Sequence, residues 1–436
     1  MSLRTHKINK QIVIFYYRLL IVFLCSMKHL LVIGKTWPEP QSTGAGWRMI
    51  QLLKLFKSFN YEITFGSASA KTEFSEDLSE MNITETQLKM NDSSFNEFLK
   101  QLDPNIVLFD RFMVEEQFGW RVSETCPNAI KILDTEDLHC LRAGRQQAFS
   151  EQRRFKKQDL LNQTAKREIA SILRCDLSIM ISEVEINILK QVFQIDESIL
   201  HYIPFLLDPV SEEEKETLPT FEDREGFVML GNLLHPPNFE SVKFVKKHVW
   251  PIIKKEMPEA QIHIYGAYTS QKVQQFHNKK EGFLIMGRAE SASDVLKNAR
   301  VLLSPLLYGA GLKTKFINAM QNGTPNITTI VGAEGIGGLL PFAGEIANDP
   351  KVIAKEAVKH YNSRNQWRTA QKNGFKIIEE RFSKSSFEGV FQKKLNYLET
   401  NLTEHRNQNF LGQVLQHHQS QSTKYMSKWI EEKNKS

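Results

Sequence analysis

Two patterns alternate along this chain. Short unbroken apolar runs are followed by longer stretches in which apolar residues recur every three or four positions. The runs have the signature of strands buried on both faces, and the longer stretches that of helices with one apolar stripe. KHLLVIG (28–34) is the first run. A loop rich in Pro, Ser and Gly follows, then WRMIQLLKLFKSF at helical spacing. YEITFGSA, NIVLFD ending at Asp110, AIKILDTED and DLSIMIS predict further strands. Residues 140–174 predict a long charged helical region, and EVEINILKQVF a helix. Pro204 marks a break.

A second series starts after a polar stretch. GFVMLGN, QIHIYGA, GFLIMG, VLLSPLL and TPNITTI read as strands. SVKFVKKHVWPIIKKEMP reads as one amphipathic helix ended by Pro258, and GLKTKFINAMQNG as a helix closed by a glycine. Residues 351–436 read as mostly helical and polar. Alternating strands and helices predict an α/β fold: two Rossmann-like parallel sheets facing a cleft at their C-terminal edges. The expected units are 27–204, 205–385 and a helical tail, 386–436.

Residues 11–25 are apolar but too short to span a bilayer, and Arg18 interrupts them. Met27 opens the first strand, so residues 1–26 read as an extension outside the fold. An interfacial segment is the second reading and a cleaved signal the third.

With 41% hydrophobic and 24% charged residues over 436 positions, the chain is neither disordered nor a multi-span membrane protein. The net charge of +6 draws four charges from Arg4, Lys7, Lys10 and Arg18, which leaves a body near neutrality. No nucleic-acid partner is expected. Cys25, Cys126, Cys140 and Cys175 form no CxxC or zinc spacing, which fits a reducing, cytoplasmic setting.

Three segments carry candidate chemistry. Gly44 and Gly46 lie in a loop entering a helix, where backbone amides attract an oxyanion. Asp134–His139 (DTEDLH) follows a strand, and His139 is the candidate catalytic group; the plainer reading has Asp137 capping the next helix and pairing with Arg142 and Arg145. Asp110 and Arg111, with Glu115 and Glu116, read as an ion-paired network. The strongest segment is 304–315, SPLLYGAGLKTK. Gly309 and Gly311 bring amides to a helix start, and Lys313 and Lys315 sit where they oppose the helix dipole, which calls for an anion such as a diphosphate.

This stretch, continued through FINAMQNGTPNITTIVGAEGI, resembles the donor-binding segment of family-4-like retaining glycosyltransferases of the GT-B fold. Gly309, Gly311, Lys313, Lys315, Ala319, Met320, Gly323, Pro325, Thr329, Gly332, Glu334 and Gly335 fall in register with that family's pattern. GNLLHPPN (231–238) resembles its first C-domain loop. The resemblance covers about residues 28–385. It implies transfer of a sugar from a nucleotide-diphosphate donor to a glycan or lipid-linked acceptor, without metal or other cofactor. Gly44, Gly46, Gly231, Asn238, Gly309, Gly311, Lys313, Lys315, Asn318 and Glu334 would face the donor, and His139 would lie near the transferred sugar. It also implies envelope-polysaccharide chemistry, peripheral contact with the inner face of the membrane, and a last helix that packs back on the first unit, here Ser422–Lys433 with Tyr425, Met426 and Trp429, a membrane-interface role for Trp429 being the rival. One departure stands out: Asn318 replaces a Glu that takes the ribose hydroxyls, and Ala310 replaces an acid eight residues earlier. Modified nucleotide recognition follows, or a non-catalytic partner subunit. A nucleotide-sugar epimerase is a third alternative.

Overall fold

The computed structural model describes residues 27–267 and 270–435. The expectations for residues 1–26, Cys25 among them, lie outside the described residues.

Seven parallel strands form the first sheet: β1 (Lys28–Gly34), β2 (Tyr61–Ser67), β3 (Thr84–Gln87), β4 (Ile106–Asp110), β5 (Ile130–Asp134), β6 (Leu177–Met180) and β7 (Leu200–Tyr202), in the order 3-2-1-4-5-6-7. Six parallel strands form the second: β8 (Glu225–Leu230), β9 (Ile262–Tyr265), β10 (Phe283–Gly287), β11 (Ala299–Leu303), β12 (Asn326–Thr328) and β13 (Gly344–Ile346), in the order 10-9-8-11-12-13. The central strands read as unbroken apolar runs because helices cover both faces: β4 and β5 are buried at every position. β3, TETQ, is half-exposed and polar, which suits an edge strand and hid it from the apolar pattern.

Two helical expectations change. The helix expected over 241–257 starts earlier and is broken in the middle: Pro236–Phe244, a π-turn at Val245–Val249, then Trp250–Glu256. Pro251 lacks the amide that would continue the ladder, and the π-turn absorbs the mismatch. The region 140–174 is two helices, His139–Ser150 and Gln163–Arg174, the second restarted by Asn162, whose side chain accepts from the Ala165 amide at 3.0 Å.

The chain crosses between the sheets twice, side by side. Leu207 donates to the Phe382 carbonyl and accepts from the Lys384 amide, both at 2.8 Å. Before the second crossing, helix Arg364–Phe382 buries Ile377, Ile378 and Phe382 beside the second sheet. After it, helix Lys384–Gln408 buries Phe391, Leu395 and Leu398 in the core of the first. The last helix, Phe410–Lys435, also lies on the first unit, through the expected segment Ser422–Lys433 but by its polar residues and not its apolar ones. Its contacts are polar: Arg121 reaches Glu431 at 3.3 Å, and Lys424 reaches Glu124 at 2.6 Å. Tyr425, Met426 and Trp429 point outward, each about 60% exposed. The helix has two usable faces, and the one whose charges match its neighbours is the one that docks.

Candidate functional site

The C-terminal edges of the two sheets face a cleft of about 1410 Å³. From the second unit it is lined by Gly231, Asn238, the loop 308–315 and Asn318; from the first by Ser42–Ala45, Arg111, Glu136, Asp137 and His139.

The loop after β8 and the helix Thr314–Gln321 meet at one point. A Cβ on Gly231 would fall 2.7 Å from Asn238 Nδ2 and 3.0 Å from Lys315 Nζ, so only glycine allows this convergence. Lys315 donates to Asn238 Oδ1 at 2.8 Å and to Ser304 Oγ at 3.2 Å, and both acceptors are neutral. Burial alone pulls its ammonium down to about 7. Lys313 donates to the Gly311 carbonyl at 2.7 Å. Burial lowers its ammonium to about 8, although the carboxylate of Glu334 works the other way. The pair leaves one partly buried cation, Lys315, without an anionic partner among the described residues at a helix start, a setting that favours a phosphate.

Across the cleft, the first unit grips the same loop. Arg145 donates to the Gly309 carbonyl at 2.8 Å and to both carboxylate oxygens of Glu334, at 3.1 and 2.7 Å. Glu185, fully buried, accepts from the Gly311 amide at 2.6 Å. Burial and the nearby Asp137 push the Glu185 carboxyl up to about 8. Gly44 packs directly on the Thr314 side chain. Gly311, at φ 66°, would place a Cβ 2.8 Å from that of Asp137.

Gly44, Gly231, Asn238, Gly309, Gly311, Lys313, Lys315, Asn318 and His139 therefore share one cleft. Gly46 does not line it: a Cβ there would overlap the backbone of Glu39, so this glycine serves the packing of its own turn. Glu334 is held by Arg145 and stands behind the loop. His139 Nδ1 lies 3.0 Å from the Asp137 carbonyl and 3.3 Å from its carboxylate, and the ring meets Phe112 edge-on. Asp137 is not the helix cap that its position suggested. Glu168 takes that place, accepting from the amides of His139 at 2.8 Å and Cys140 at 2.9 Å. Asp137 does pair with Arg142, while Arg145 goes to Glu334. The network around Asp110 also divides: Arg111 lies 3.4 Å from Asp110, while Glu115 and Glu116 pair with Arg174 and Arg167. Glu185 and the true partner of Arg145 escaped sequence reasoning, because the groups that meet are 126 and 189 residues apart.

Two parallel sheets of this order, a doubled crossover and a glycine-rich loop at the facing edges decide the architecture. This is the GT-B glycosyltransferase fold. Residues 224–362 match the family model of glycosyl transferases group 1. Solved GT-B structures agree over most of the chain. Sucrose-phosphate synthase from Thermosynechococcus elongatus has a TM-score of 0.64 at 15% identity, over 85% of this chain and 99% of that one. Anabaena HepE, solved in complex with UDP and glucose, has a TM-score of 0.62 at 12% identity, over 85% and 99%. WaaG, a glycosyltransferase involved in lipopolysaccharide biosynthesis, has a TM-score of 0.57 at 10% identity, over 83% and 98%. An uncharacterised 44.6 kDa protein in the cps region of Klebsiella pneumoniae is 25% identical over 174 residues, 38% of this chain. The match spans 45% of that relative's length. Among the described residues, no helix is long and apolar enough to cross a membrane.

Proposed function

We propose that this GT-B protein transfers a sugar from a nucleotide-diphosphate donor to a glycan or lipid-linked acceptor, with retention of configuration and without a metal. Residues 205–385 hold the donor, residues 27–204 face the acceptor, and the helical tail 386–436 packs on the first unit. The observation that carries this reading is Lys315. Its only hydrogen-bond partners among the described residues are neutral, and it lies at the start of helix Thr314–Gln321 where Gly231 and Asn238 close around it. A diphosphate there would meet the Lys315 ammonium and, nearby, that of Lys313. Both would neutralise charge on the leaving group as the glycosidic bond to phosphate breaks. His139, held through Nδ1 by the Asp137 carbonyl, lines the cleft from the first unit, where it would lie near the transferred sugar. HepE bound to UDP-glucose supports the donor class, and the lipopolysaccharide biosynthesis in which WaaG takes part supports envelope glycan synthesis.

Asn318 favours a second reading, a non-catalytic subunit on the same fold. It lines the cleft without the carboxylate that would grip both ribose hydroxyls. The two readings separate in a screen of nucleotide-diphosphate sugars for thermal shift and nucleotide release. The enzyme reading predicts stabilisation and turnover with at least one donor. Turnover by Asn318→Glu alone would assign the natural protein to the second reading, and stabilisation by no donor would remove the first.

A further inference from the structure

Two non-glycine residues hold left-handed backbone on neighbouring strand ends. Arg111, just after β4, has φ 75°, and Glu136, just after β5, has φ 62°. β4 and β5 pair with Asp110 opposite Asp134, so the two residues emerge side by side at the C-terminal edge. Both line the cleft. Strain of this kind persists only where the surroundings impose it, and it concentrates at binding sites.

Both side chains hold hydrogen-bonding capacity in reserve. The Glu136 carboxyl makes no hydrogen bond among the described residues, and its Oε1 is shut away from water without a donor. The Arg111 guanidinium makes one polar contact, Nε to Asp110 Oδ1 at 3.4 Å. Their neighbours are already committed. Arg48 holds Asp134 at 2.9 Å, and Arg142 holds Asp137. Lys35 from the end of β1 faces Asp110 and Arg111. Burial and the charge of Asp134 push the Glu136 carboxyl up to about 8, against the pull of Arg111. Acids and bases here nearly balance, so the pocket suits a neutral polyol better than an anion. Its position is equally specific. The 136–137 segment abuts the opposite loop, with the Glu136 carbonyl 3.6 Å from where a Gly311 Cβ would stand.

We propose that Arg111 and Glu136 form the acceptor subsite, the guanidinium donating to and the carboxyl accepting from hydroxyls of a neutral sugar ring held against the donor loop. This rests on the glycosyltransferase reading of the cleft and adds to it the residues that select the acceptor. They position the acceptor, and no bond is made or broken on either.

The test uses the full chain with UDP present, and methyl glycosides of glucose, galactose and mannose as probes in ligand-observed NMR. Glu136→Gly and Arg111→Gly remove each side chain while easing its backbone, and Glu136→Gln keeps an accepting oxygen. At least one glycoside should bind the wild type. Both glycine variants should weaken it about tenfold, as expected for the loss of one hydrogen bond. Glu136→Gln should stay within about threefold of the wild type, a rescue that a merely structural residue would not show. Binding that ignores both glycine variants, or no binding of any glycoside to the wild type, overturns the subsite. UDP affinity, read by calorimetry on the same samples, should be unchanged in all variants. Its absence from the wild type would count against the donor reading instead.

Discussion

Lys315 shows how a single residue sets chemistry. Burial without a carboxylate brings its ammonium to about 7, and a diphosphate restores the charged form. The protonated form binds, so donor affinity should be greatest below about pH 7. Above it, affinity should fall by up to tenfold per pH unit as binding has to recruit a proton. Calorimetry in two buffers of different ionisation enthalpy should show proton uptake at pH 8. Lys315→Ala should flatten that dependence and weaken UDP binding about 10- to 100-fold, the range for losing a charge-assisted hydrogen bond. Much of this site was legible in the sequence. Two lysines in a helix's first turn need an anion, and glycines before a helix need a close neighbour. What was not legible was which glycine served which purpose. Gly44 meets Thr314 across the cleft and Gly46 meets its own turn, although the two are a single residue apart.

Among elements, loop 308–315 is held from both sides, and its grip can be tested from either. Arg145 fixes Glu334 and the Gly309 carbonyl; Glu185 fixes the Gly311 amide. Arg145→Ala should free the loop, seen as faster amide hydrogen exchange across residues 309–313 with exchange in β4 and β5 unchanged. Gly311→Ala should cost about 1–3 kcal/mol in thermal unfolding, since it forces a side chain into left-handed backbone against Asp137. The strands of both sheets were legible because buried parallel strands are apolar without alternation. Polar β3 was not, nor the three-residue edge strands β7 and β13, nor the π-turn at Val245–Val249, where a helical pattern ran straight through Pro251. Helix ends in the first unit were equally hidden: Glu168 caps His139 from 29 residues away, a bond that no local motif encodes.

At the scale of the molecule, two crossings tie the halves together. Arg48 stands where they meet, bridging Asp134 and the carbonyls of Ile203 and Pro204. Helix Lys384–Gln408 closes the first unit from the far end of the chain. Phe391, fully buried and edge-on to Phe56 at 5.6 Å, should cost about 3–5 kcal/mol when changed to Ala, with loss of cooperative unfolding in the first unit. The return of the chain was expected from a resemblance, while the face by which the last helix docks was set by charge pairs that only the fold brings together. The central claim is that the cleft binds a nucleoside diphosphate through Lys315. Titrating UDP into the wild type and Lys315→Ala between pH 6 and 9 tests it most directly. The account predicts wild-type binding that weakens above pH 7 and a variant that is weak throughout. Equal affinity and equal pH dependence in the two proteins, or no binding by either, would contradict it.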